Sequence, residues 1–144
     1  MDLSRQFVRM CRHARVLQKE WIPENGDWLY IGARDVCSPI ILTEQAGVSK
    51  WSDSGKFYNL PEEKELYGIV WLPRQDQIQQ RIKQKYNQSY SVIAERFMEF
   101  ILEYEDNVEL GFEQRWLRFY IFLTEGRLWI DGKWTGKNKR EVTI

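Results

Sequence analysis

Leu3, Phe7, Met10, Ala14, Leu17 and Trp21 are separated by 4, 3, 4, 3 and 4 positions. At ~100° per residue these apolar side chains share one face of a helix. Arg5, Arg9, Arg12, Arg15 and Lys19 fall within an arc of roughly 120° on the opposite side. Pro23 and the turn residues Asn25-Gly26-Asp27 forbid continuation. The spacing therefore predicts one amphipathic helix over 3–20, within an amino-terminal segment 1–21.

Over 27–72 the pattern changes to short β-branched and aromatic runs. Trp28-Leu29-Tyr30-Ile31, Ile40-Ile41-Leu42 and Leu66 to Trp71 read as strands. Between the last two lies a polar link at 44–64, rich in Gly, Ser, Asp and Asn. A link of that length is unusual in a small domain. Trp51, Phe57 and Tyr58 inside it suggest that it is pinned down.

The segment 73–126 reads as helical. Pro73 suits the first turn of a helix over 74–86, with Ile78, Ile82 and Tyr86 on a narrow apolar stripe. A second helix over 90–105 has Tyr90, Ile93, Ala94, Phe97, Ile101 and Tyr104 on one face and Glu95, Glu99, Glu103 and Asp106 on another. A third, over 112–125, is apolar nearly all round from Phe112 to Leu123, which marks it as the central core helix; Gly126 is placed to cap it. In 127–144, Leu128-Trp129-Ile130, Asp131-Gly132 and Lys133-Trp134 spell a hairpin with a two-residue turn, followed by a basic tail. The expected fold is α+β: about four helices packed on a small antiparallel sheet, in a single domain spanning 1–144.

Composition narrows the function. The longest purely apolar run is Phe119–Leu123 and the mean hydropathy is −0.57, far from the ~20 apolar residues of a membrane span. No apolar leader is visible at the amino terminus, so a cytoplasmic address and free thiols at Cys11 and Cys37 are expected. Cys11 falls on the apolar helix face and reads as a small buried hydrophobe. The 21 basic and 21 acidic residues cancel, but unevenly: 1–21 and 127–144 each carry a net +3 and the middle a net −6. A neutral total speaks against a protein built mainly to grip phosphate backbones.

Candidate chemistry is sparse. Neither a G-x-G-x-x-G nor a G-x-S-x-G occurs, and Gly132 to Lys137 is one residue short of a phosphate loop, with Asn138 where Ser or Thr belongs. His13 is the one histidine, on a basic helix flank. Zinc would need four N or S ligands and finds three widely spaced candidates. The run Tyr67-Gly68-Ile69-Val70 faintly echoes an RNA-recognition strand but lacks its second stacking aromatic. No catalytic residue, metal site or cofactor is indicated. Trp51 in the link and Trp134 beside the basic tail have no periodic reason to be buried. With Arg5, Arg9, Arg12, Arg15 and Lys19 they are the candidate partner-binding residues.

Trp21-Ile22-Pro23, Gly26-Asp27-Trp28 and Val70-Trp71-Leu72-Pro73-Arg74-Gln75-Asp76-Gln77-Ile78-Gln79 make an order that resembles a group of small phage- and prophage-encoded bacterial proteins. Those carry a W-x-P…GDW element and a W-L-P-x-Q-D-Q-L-Q segment; Ile78 stands here in place of the leucine. The resemblance covers about residues 20–82. It implies a cytoplasmic accessory protein of viral ancestry and brings no activity or functional residues with it. The leading expectation is a non-enzymatic, protein-interaction module. The alternatives are a weak nucleic-acid binder using the basic helix face and an enzyme of unrecognised type.

Overall fold

The computed structural model describes residues 1–24, 26–31, 39–41, 50–51, 57–58, 68–104 and 109–136. The protein is of the α+β class, with five helices and short antiparallel strands among the described residues. The chain divides into two compact units, 14–73 and the pairing of 1–13 with 74–144.

The unit 14–73 holds helix α2 (Arg15–Glu20) and strands β1 (Trp28–Ile31), β2 (Pro39–Ile41), β3 (Lys50–Trp51), β4 (Phe57–Tyr58) and β5 (Ile69–Leu72). β1 lies between β2 and β5, antiparallel to both, with Trp28 opposite Ile41 on one side and Leu72 on the other. All four residues of β5 are buried, which is why its run is continuously apolar rather than alternating. Its start, expected at Leu66, lies outside the described residues. The polar link at 44–64 carries a short strand pair, with Lys50 opposite Tyr58 and Trp51 opposite Phe57; the rest of it is outside the described residues.

The other unit holds α1 (Arg5–His13), α3 (Gln75–Tyr86), α4 (Tyr90–Tyr104), α5 (Phe112–Glu125) and the hairpin β6 (Trp129–Ile130) and β7 (Lys133–Trp134). α5 is the core helix, with an unbroken buried run from Trp116 to Leu123, and α1, α3 and α4 pack on it. Gly126 ends it with φ at +66° and donates its N–H to the Phe122 carbonyl. α3 starts two residues after Pro73, and Gln77 Oε1 accepts from the Arg74 N–H at 2.9 Å. Asp131 and Gly132 both have positive φ, the two-residue turn read from Asp-Gly. The hairpin is extended by the Thr135 N–H to the Leu128 carbonyl at 2.8 Å.

Three expectations are corrected. The helix over 3–20 is two helices, because Ala14 has ψ at 72°, outside the helical region. No Pro or Gly marks the break, and the apolar period runs straight through it, so periodicity does not reveal it. The apolar face of α4 is rotated: Ile93, Phe97 and Phe100 are buried, whereas Tyr90 and Ala94 are exposed. Phe100 takes the central place because it fits between Phe119 and Phe122, with ring centroids at 5.4 and 5.1 Å. Leu3 and Phe112, expected on buried faces, are exposed; Leu3 lies before the first residue of α1 and Phe112 is the first residue of α5.

Candidate functional site

On α1, Phe7, Val8, Met10 and Cys11 are buried. Arg5, Arg9 and Arg12 are exposed and lie within roughly 60° of one another around the helix axis. Arg9 reaches over the hairpin: a methyl group at Gly132 would sit 3.3 Å from its Nη1. Arg15 and Lys19 are exposed one turn apart on α2. The break at Ala14 thus divides the expected row of five into a group of three and a group of two.

The acidic row lies on α4, where Glu95, Glu99 and Glu103 are exposed. Glu99 takes its ion pair from Arg96 in the same helix at 2.9 Å. The main neighbours of α1 are α5 and β7. Asp106, the expected end of the row, lies outside the described residues.

The tryptophan candidates separate. Trp134 is half-buried; its Nε1 donates to the Met10 carbonyl at 3.2 Å and its ring meets Trp129 edge-on at 5.0 Å. That is a packing role, tying the hairpin to α1. Trp51 has a described strand position only.

The tryptophan-rich motifs of the first unit are likewise structural. Asp27 is buried and its Oδ2 accepts from Trp21 Nε1 at 2.8 Å and from the Glu24 N–H at 2.9 Å. Trp21 and Trp71 stack at 6.0 Å with planes 7° apart. Gln18, which the sequence did not single out, donates from Nε2 to the Trp71 carbonyl at 3.0 Å and accepts at Oε1 from the Trp71 N–H at 2.9 Å. One amide thus satisfies both backbone groups of Trp71 in β5, which is an edge strand among the described residues. The residues of the W-x-P…GDW…WLP pattern build and lock this unit.

Two other polar residues that periodicity misses are buried on α5. Gln114 donates to Asp2 Oδ2 at 2.6 Å and accepts from Gln6 Nε2 at 2.8 Å. Arg118 donates from Nη2 to the Tyr104 carbonyl at 3.3 Å and lies over the Phe100 ring. Cys11 is fully buried, and burial, with a smaller push from the Asp2 carboxylate, raises its thiol well above the ordinary range. Such a thiol packs rather than reacts.

Among the described residues, no group of three or more His, Cys, Asp or Glu side chains is placed to hold a metal ion, and no helix is long and apolar enough to cross a membrane. The chain matches no family model, no curated protein and no solved structure.

Proposed function

We propose that the protein is a non-enzymatic protein-interaction module, of the accessory kind that the tryptophan pattern suggests for phages and prophages. One observation carries the reading: the described surface presents a basic row on α1 and an acidic row on α4, each left exposed to solvent. Rows of like charge exposed to solvent steer and orient partners. The alternative for the basic row is phosphate, and salt dependence separates the two. Three phosphate contacts lower DNA affinity about forty-fold between 50 and 200 mM salt.

The test combines duplex DNA titration at those two salt concentrations with affinity capture from phage-infected cells. Arg5→Glu/Arg9→Glu/Arg12→Glu is expected to melt within about 2 °C of the parent, because exposed charges contribute little to stability. It is expected to lose a protein captured by the parent, while DNA binds weakly to both. Tight, steeply salt-dependent DNA binding abolished by the same reversal would replace this reading with nucleic-acid binding.

A further inference from the structure

The corrected face of α4 leaves apolar side chains outside the core. Leu102 is 82% exposed and Met98 53%, and Ala94 is exposed one turn earlier on the same line. Ala94, Met98 and Leu102 follow at intervals of four, with the half-buried Ile101 beside them. At ~100° per residue these four cover an arc of roughly 100°. Glu95, Glu99 and Glu103 occupy the next roughly 80°, so the apolar stripe is bordered along its length by carboxylates. Glu95 and Glu103 have no ion-pair partner among the described residues.

We infer that this stripe is a docking face for an amphipathic helix of another protein, one whose apolar side is edged by Lys or Arg. The charge selects the occupant. Membrane-surface helices set cations beside their apolar face to meet anionic lipid; here the border is acidic and lipid phosphates would be repelled. Nucleic acid is refused for the same reason. A second copy docked antiparallel through α4 would set each glutamate row against its own twin, a like-charge edge that disfavours pairing. A cation-edged helix offers what is missing on both counts: apolar contact for Met98 and Leu102, and opposite charge for Glu95 and Glu103. Methionine in the stripe adapts to partners of differing shape. The inference concerns a surface separate from the basic row of α1 and does not depend on it.

The test uses the full chain and two fluorescently labelled helical peptides of about 16 residues. Both have Leu at i, i+4 and i+7 spacing; one carries Lys along a single edge of the stripe and the other carries Glu there. The Lys peptide is expected to bind at least tenfold more tightly than the Glu peptide by anisotropy. Leu102→Lys and Glu95→Lys/Glu103→Lys should each weaken it at least tenfold, while Glu24→Lys should leave it within twofold. All these positions are exposed, so the variants retain the fold, checked by circular dichroism. Failure of the Lys peptide to bind, equal binding of both peptides, or indifference to the α4 substitutions overturns the inference. So does a dimer of the parent chain, seen by sedimentation, that Leu102→Lys dissolves, for then a second copy is the occupant.

Discussion

Asp27 shows how much one side chain carries. Its Oδ2 is the acceptor for two donors, the Trp21 indole and the Glu24 N–H, inside a buried site. Removing an acceptor strands the donors, which costs more than the net worth of the bonds. Asp27→Ala is expected to cost about 2–4 kcal/mol in urea denaturation, and Asp27→Asn, which keeps one oxygen, about 1–2 kcal/mol. Cys11 is a second case. Its thiol is pushed up by burial, so the folded state keeps the proton that the unfolded chain releases. Its contribution is complete below the ordinary thiol range and declines as pH rises through it. In a Cys37→Ser background, the thiol is expected to be unreactive toward a disulfide reagent at pH 8 and to react fully in denaturant. Stoichiometric reaction of the folded protein would contradict its burial.

At the scale of elements, the helices bounded by proline, asparagine or glycine signals were the most legible. α3, α4 and α5 run over Gln75–Tyr86, Tyr90–Tyr104 and Phe112–Glu125, within one residue of the expected 74–86, 90–105 and 112–125. The Asp131-Gly132 turn was legible for the same reason, since few residues accept positive φ. The break at Ala14 was not, because no residue of poor helix propensity sits there. Nor was the rotation of α4, whose apolar residues span a wider arc than its neighbours can cover. A period shows which residues could be buried; the packing partners decide which are. The hairpin gives the prediction at this scale. At Gly132 φ is +76°, and a methyl group there would also stand 3.3 Å from Arg9 Nη1. The long arginine can swing aside, so backbone strain dominates. Gly132→Ala is expected to cost about 1–2 kcal/mol by thermal denaturation. Removing the guanidinium with Arg9→Ala should leave most of that cost in place.

For the whole molecule, the charges are zero in sum but not in arrangement. With 21 basic and 21 acidic residues and an isoelectric point near 6.6, copies have no long-range repulsion at that pH. What remains is attraction between rows of opposite sign, α1 of one copy and α4 of another, and contact between apolar residues such as Leu102. Salt distinguishes the two. The screening length falls from about 30 Å at 0.01 M to about 8 Å at 0.15 M, which weakens attraction between charged rows and leaves apolar contact untouched. At pH 6.6 the second virial coefficient from light scattering is therefore expected to be negative at 0.01 M salt and to rise on addition of 0.15 M. Reversing Arg5, Arg9 and Arg12 to glutamate moves the net charge from zero to about −6, two charges per substitution. It also removes the basic row, so the coefficient should become positive even at low salt. If salt leaves the coefficient negative and Leu102→Lys alone corrects it, apolar contact through α4 governs self-attraction and the charged rows do not.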